Sequence, residues 1–413
     1  MGNRVPAQSA DHTRSMILDY IRASGRISRV ELARKSGLTQ AAISNIVRKT
    51  IAEGLVIETG FSESTGGKRR TLLDLNATSR FAVGVSLESQ RLTFVVTDLS
   101  GHLVGRLITD GAHDSTPNSV MTRIADQVEA LIGHVQVDPG SVVGIGVASP
   151  GPLDSAGALR GRQPTPHWAG LALKDLLEES SGRPVVVDND ATCAALGEYW
   201  TSRQAGDKAV SATVYMADRI GCGILMDGQV FHGASSNAGE LGHISLDVNG
   251  PVCRCGAHGC VELYASPAAV VLRAMSEPDL VQHLRLDPAD TNHRASFGRI
   301  VKAAARGHQP SYRLIAEAAA YLGAAVVTLA NILDLDEVFL SGPGFTGAGA
   351  IYARVIQDHL DRGTFMRTIH PVQVKISHIG TEAAALGAAA LVLQRHITPH
   401  SASRSQRDRE LIS

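Results

Sequence analysis

Residues 239–262 read GELGHISLDVNGPVCRCGAHGCVE, setting His243, Cys253, Cys255 and Cys260 in an H-x₉-C-x-C-x₄-C pattern between Glu240 and Glu262. Three thiolates and one imidazole so close together match a closed, tetrahedral Cys₃His zinc site. Gly256 and Gly259 let the backbone turn sharply between ligands. The plainer alternative is a cysteine-rich loop with buried or disulfide-bonded thiols. Cys193 and Cys222 lie far off in apolar surroundings, and the chain opens without a recognisable secretory signal. Both points argue against a disulfide framework.

The 413 residues suffice for two or three domains with a sizeable core. The 39 basic and 40 acidic residues nearly cancel, but unevenly: residues 1–75 hold 12 basic against 7 acidic. A basic front on an acidic body suggests that only the front meets a polyanion. No apolar run is expected to reach membrane-span length, so the protein is expected to be soluble and cytoplasmic, with no membrane partner.

Residues 1–11 are polar and predict a disordered arm. From Thr13, Ile17, Tyr20 and Ile21 fall at helical spacing. Ser28 and Glu31 form a capping box for a second helix, which Gly37 ends. Thr39 caps a third, TQAAISNIVRKTIAEG, closed by Gly54. On it Ile43, Ile46, Val47 and Ile51 make one apolar stripe, while Gln40, Ser44, Asn45 and Arg48 make a polar face. LVIETG and TLLDLN then read as a hairpin with Lys68, Arg69 and Arg70 at its tip. Two helices across a glycine turn, with a basic wing beside them, make a winged helix-turn-helix over residues 12–76. Gln40, Ser44 and Asn45 are the candidate base-reading residues, Arg48 and the wing would mostly fix position on phosphates, and the cap Thr39 joins them as a DNA-binding candidate. An ordinary helical subdomain with a solvated face is the alternative.

After Asn76 the apolar, β-branched runs FAVGVSLES, RLTFVVTDLSG and HLVGRLITD predict a strand meander. A helix near 119–131, the strand VVGIGVAS, a helix at 171–180, the strand PVVVDND and the helix ATCAALGEYW follow. TVYMADRIGCGILMDGQVFHG gives two more strands, residues from Ala268 are mainly helical, and DEVFLSGP and TEAAALGAAALVLQRH add a strand and a closing helix. Strands alternating with helices, with meanders opening each half, predict a two-lobed α/β fold. The expected division is a first lobe at 77–195 completed by 381–396, a second at 196–380 with the zinc site, and a disordered tail at 397–413.

GELGH…CRCGAHGCVE, VDNDATCAALGE and GVASPGPLD together resemble the ROK family of sugar kinases and repressors. The winged head makes the match to the repressor branch, of which NagC- and Mlc-like regulators are examples. The resemblance covers roughly residues 13–395. It implies an actin/hexokinase-like ATPase fold with sugar bound between two lobes, and a homodimer or homotetramer presenting paired DNA-reading heads. By the same resemblance Asn189, Asp190, Glu240, His243 and Glu262 hold the sugar; in family kinases the residue matching Asp190 deprotonates the attacking hydroxyl. Zinc would be structural, holding Glu240 and Glu262 around the ligand and fixing the tautomer of His243. For Asp190 a helix N-cap is the competing role, and for His243 a zinc ligand alone.

Departures from the kinase pattern weigh against enzymatic activity. The family's Asp-x-Gly-Gly-Thr-Lys loop corresponds here to Ser86, Leu87, Glu88, Ser89, Gln90 and Arg91, and its Gly-Thr-Gly loop to Ala217, Asp218 and Arg219. Side chains now stand where backbone must approach phosphates. Ser341-Gly342-Pro343-Gly344 keeps part of the adenosine-side loop. The leading expectation is a sugar-responsive, DNA-binding repressor; the alternatives are a bifunctional ROK sugar kinase and a regulator controlled by a protein partner. His167 and Trp168 are further candidates for lining the pocket, with a core indole the commoner role for Trp168.

Overall fold

A computed structural model of the chain describes residues 10–61, 69–112, 115–154, 157–160, 168, 170–202, 209–287, 289 and 293–397. Its head comprises α1 (Ala10–Ser24), β1 (Ile27–Ser28), α2 (Arg29–Ser36), α3 (Gln40–Ala52), β2 (Val56–Phe61) and β3 (Thr71–Leu75). Ser28 Oγ accepts from the Glu31 N–H at 3.3 Å while the Glu31 carboxylate accepts from the Ser28 N–H at 2.9 Å, so the capping box starts α2 as expected. Gly37 ends α2 at φ +70°, and Thr39 Oγ1 accepts from the Ala42 N–H to start α3. The strands pair in the order β1-β3-β2. The short β1 was not anticipated: two residues carry no periodicity. Residues 1–9 of the expected arm lie outside the described residues, and Ala10 and Asp11 belong to α1.

The body contains two five-stranded sheets of one design. In the first, β4 (Phe81–Leu87), β5 (Arg91–Asp98) and β6 (Leu103–Asp110) form an antiparallel meander. β7 (Val142–Ser149) and β8 (Val185–Asn189) then add in parallel beside β4, giving the order β6-β5-β4-β7-β8. Helices α4 (Pro117–His134) and α5 (Leu173–Ser181) cover one face, burying Val83, Val85 and Phe94 against Ile124, Val128 and Leu177. α6 (Asp190–Thr201) leaves the end of β8.

The second sheet repeats the plan with β9 (Val210–Met216), β10 (Ile220–Met226), β11 (Gln229–Val230), β12 (Glu337–Ser341) and β13 (Gln373–Ile376), in the order β11-β10-β9-β12-β13. Around it lie α7 (Glu262–Ala265), α8 (Pro267–Met275), α9 (Pro278–Leu284), α10 (Arg294–Ala305), α11 (Gln309–Leu333) and α12 (Gly349–Gly363). The expectation that no apolar run reaches membrane-span length needs correction, since α11 is long and apolar enough by length and composition. Leu314, Ile315, Ala318, Leu322 and Val326 face the second core, and a helix with a broad buried face is apolar for that reason. Neither β11 nor β13 was anticipated.

The closing helix α13 (Ala383–Ile397) does not stay with the second sheet. It packs on β4 and β7 of the first, while α6 packs on β9 and β10 of the second, and the two helices cross in contact. Small residues make this possible: a Cβ on Gly387 would be driven into the Cys193 carbonyl, and one on Gly197 into that of Ala383. Gly84 and Gly146 likewise let α13 settle onto the first sheet. Ile397, expected to begin the tail, is the buried last residue of α13, and residues 398–413 lie outside the described residues.

Replacing a helical glycine by alanine ordinarily stabilises by up to about 1 kcal/mol. Gly298 in α10 has open space beyond its Cα, and Gly387 has none. Calorimetry should show Gly298→Ala raising Tm and Gly387→Ala lowering it by the equivalent of about 1–3 kcal/mol. The same sign at both positions would contradict the tight crossing.

Candidate functional site

Between the lobes runs a cleft of about 970 Å³, whose lining includes all five side chains expected to hold a ligand: Asn189, Asp190, Glu240, His243 and Glu262. They arrive from two directions. Asn189 and Asp190 stand at the β8–α6 junction; Glu240 and His243 flank a short turn after β11, and Glu262 starts α7. The helix cap is Asn189 rather than Asp190, its Oδ1 accepting from the Ala191 and Thr192 N–H groups at 2.9 and 3.3 Å. Asp190 is the first helical residue, its Oδ1 accepting from the Ala191 N–H at 2.8 Å, with the Glu88 and Glu240 carboxylates near enough to act on it. Burial pushes its carboxyl up to about 7, and those two carboxylates add to the rise. Glu262 accepts from the Ile220 N–H at 3.0 Å, and burial raises its carboxyl too.

Carboxylates, an amide and an imidazole around one space suit a polyhydroxylated ligand, since together they can accept from and donate to its hydroxyl groups. Sequence reasoning missed several neighbours. Arg219 and Arg254 also line the cleft beside Glu262, and Arg254 sits between two of the cysteines. Asn237 ties the lobes by a paired contact with the Leu153 backbone, donating at 2.9 Å and accepting at 3.0 Å. His232 Nε2 lies 2.8 Å from the buried Asp188 carboxylate, whose hydrogen bond raises the imidazole pKa. Arg219 and Arg254 lie inside stretches read for other reasons, and Asn237 and His232 carry no motif; only the fold brings them into place. Trp168 takes the commoner role, a core side chain in the cluster of Leu153 and Leu173 and absent from the cleft lining, while His167 lies outside the described residues.

Just past the end of β4, Glu88 is buried between two guanidinium groups: Arg91 at 3.6 Å, and Arg294 of α10 reaching across from the other lobe at 3.3 Å. Burial raises the Glu88 carboxyl and the arginines pull it back. A neighbouring cavity of about 840 Å³ is lined by Arg294, Lys302, Arg306, Phe297 and Gly344.

Beside the cleft, one ligand atom each from His243, Cys253, Cys255 and Cys260 fall within 4.8 Å of one another. His243 Nδ1 is 3.6 Å from Cys253 Sγ, and the Cys255 and Cys260 sulfurs are 3.6 Å apart. Spacings near 3.6 Å are those of donors at the corners of a tetrahedron about a bound ion, so the cluster could hold a metal. Gly256 and Gly259 adopt φ +97° and +61°, which gives the knuckle its turns. All five cysteines are free thiols, which removes the disulfide alternative.

In the head, Ile43 and Val47 of α3 are buried while Gln40, Ser44, Asn45 and Arg48 are exposed, with Arg48 donating to Asn45 Oδ1 at 2.6 Å. Thr39 is exposed and occupied as the cap. Arg69 and Arg70 are exposed ahead of β3; Lys68 lies outside the described residues.

The ROK family model matches residues 82–395, and a model described as winged helix-turn-helix DNA-binding matches residues 11–57. A xylose repressor of Caldicellulosiruptor bescii is 25% identical over 383 residues, covering 92% of this chain and 94% of the relative. The crystal structure of a ROK family transcriptional regulator, a homologue of the Escherichia coli Mlc protein, superposes with a TM-score of 0.73 at 26% identity, covering 94% of this chain and 96% of that one. A ROK glucokinase from Streptomyces griseus, solved with glucose and AMPPNP, superposes at 0.62 and 26% identity over 75% of this chain and 98% of its own.

Because Asp190 holds its proton to about pH 7 when folded but only to about pH 4 when unfolded, the folded state binds more protons between those values and loses stability as pH rises through them. Asp190→Asn should therefore flatten the fall in Tm between about pH 5 and pH 8. An unchanged profile would show that the Asp190 carboxyl titrates normally.

Proposed function

The chain belongs to the ROK family and carries a winged helix-turn-helix ahead of it, and on that premise we propose a sugar-responsive, DNA-binding transcriptional repressor. The convergence of Asn189, Asp190, Glu240, His243 and Glu262 on one interlobe cleft carries the sugar part of this reading. Hydroxyl groups of a neutral sugar satisfy such a wall, and closing the lobes around it changes the geometry between them. A ligand shifts DNA affinity only by binding the open and closed states unequally. By analogy with the relative named as a xylose repressor, xylose or a related sugar is the first candidate effector, and the family resemblance points to its weakening operator binding.

On the DNA side, the exposed face of α3 enters the major groove with Gln40, Ser44 and Asn45 towards base edges. Arg48, Lys68, Arg69 and Arg70 hold phosphates or the minor groove. Two copies of the chain, as a homodimer or within a homotetramer, present paired heads to two half-sites. We read residues 12–76 as the head, 77–195 with 381–396 as one lobe and 196–380 as the other. The protein works in the cytoplasm, where DNA and sugar meet.

The metal is zinc, and its role is structural. His243, Cys253, Cys255 and Cys260 would close its coordination, holding Glu240 and Glu262 at the cleft wall. The protein is not a kinase on this reading. The Glu88 carboxylate, paired with Arg91 and Arg294, stands where phosphates would pass, and Asp218 adds a second negative charge. The similarity to a glucokinase and the 840 Å³ neighbouring cavity favour a second reading, a sugar kinase that also binds DNA. Product formation from ATP with xylose or glucose would decide for it.

The reading as a whole is tested by selecting duplexes from a random pool with the purified protein, then titrating D-xylose, D-glucose and other free sugars into the complex. Release by one of them at constant ionic strength is expected; no selection of any duplex overturns the proposal. Arg69→Ala with Arg70→Ala should weaken all duplexes alike and reduce the slope of log affinity against log salt by about 2. Asn45→Ala should relax preference at a base pair by about 1–3 kcal/mol. Elemental analysis should find about one zinc per chain, lost in Cys255→Ser together with the sugar response.

A further inference from the structure

The winged head is not tethered loosely to the body: its first helix carries two arginines, each placed on the carboxyl end of one of the two crossing helices. Arg22 has a side chain only 3% exposed, and its Nη1 donates to the Trp200 carbonyl in the last turn of α6. Its guanidinium also lies over the Tyr199 and Trp200 rings, 5.2 and 5.0 Å from their centroids, with Asp19 at 3.5 Å. Arg14 Nε donates to the Ile397 carbonyl, the last of α13, at 3.0 Å, and its guanidinium pairs with Glu53 at the end of α3. Carbonyls at a helix carboxyl end are the negative pole of its dipole, and a desolvated guanidinium stacked on aromatic rings gains further from their faces. Ile17, Leu18 and Ile21 of α1 pack in one apolar cluster with Leu196 and Trp200 of α6 and Leu393 and Ile397 of α13.

The other end of α6 is the cleft. Asn189 caps it and also donates to the Gly151 carbonyl at 3.3 Å, and Asp190 is its first residue. Twelve helical residues make a rod about 18 Å long. One end meets the cleft and the other meets Arg22. Resting on the reading above, we propose that Arg22 is the positioning residue through which α6 sets the attitude of the DNA-reading head, with Arg14 as its second anchor on α13. A displacement at Asn189 travels along α6 as a rigid body, moves the Trp200 carbonyl and rings, and draws α1 with them. Arg14 and Glu53 then carry the movement to the end of the recognition helix.

The test uses neither DNA nor sugar, so its outcome is separable from the failure of the repressor reading. Asn189→Ala removes the cap and loosens the cleft end of α6 in the full-length, metal-loaded protein. Hydrogen exchange is followed in α1, with α4 as a reference for the folded body. With Arg22 present, Asn189→Ala should speed exchange in α1 relative to α4 by about fivefold or more, the low end of ordinary site-to-site coupling. Arg22→Lys keeps a positive charge beside Asp19 but cannot cover two rings and reach the carbonyl together. In that background the response of α1 to Asn189→Ala should shrink to less than half. Trp200→Phe, which keeps an apolar ring in place, should shrink it in the same direction. A purely structural Arg22 would raise exchange in α1 by itself and leave the response to Asn189→Ala unchanged. That result, or no response of α1 in the presence of Arg22, overturns the proposal.

Discussion

The crossing of α6 and α13 is the contact on which the rest of the structure depends. Each helix follows strands of one sheet and packs on the other, and they touch through Gly197 and Gly387, where no side chain intervenes. Backbone approach of this kind admits few alternative packings, because any added methyl meets a carbonyl rather than a flexible neighbour. The lobes therefore meet at a close-packed crossing. The cleft lies at one end of α6, and the amino-terminal head sits at the other.

Physical chemistry divides the cleft into two regions. Around Asp190, Glu240 and Glu262 the lining offers carboxylates, with Arg219 and Arg254 as donors beside Glu262, and the His243–Cys253–Cys255–Cys260 cluster lies next to them. Around Glu88 the polar groups are already matched to each other, carboxylate against two guanidiniums. A phosphate chain would have to displace that pairing in a partly buried setting, where breaking a charge pair is costly. A neutral sugar, by contrast, meets a wall still open to it.

Much of this was legible in the sequence, for reasons that differ by region. Ser28, Glu31, Gly37 and Thr39 announce the head because caps are local chemistry, decided within a few residues. The strands from Phe81 to Asp110 and Val142 to Ser149 follow from β-branched runs, and the GELGH…CRCGAHGC spacing brings its four donors together within one loop. What escaped were features made only by folding. β1 and β13 exist because a partner strand offers hydrogen bonds, not because of their own pattern. The Glu88–Arg294 and Asn237–Leu153 contacts join residues 206 and 84 positions apart, and no spacing rule reaches so far. α11 illustrates the reverse hazard: composition alone cannot separate a lipid-facing helix from one wrapped in its own protein.

The placement of α13 also has a consequence for how the chain is made. One face of the first sheet and the underside of α1 are both covered by residues 383–397, which are synthesised after all the other described elements. At about 5–20 residues per second, the nascent protein spends tens of seconds with those surfaces bare after their own strands and helices have emerged from the ribosome. Non-local closure of this kind is slow and invites chaperones or mispairing meanwhile. Translation that stops short of α13 would leave a product whose grip on nucleic acid is assembled but lacks the α13 part of its support, keeping only its contacts with α6.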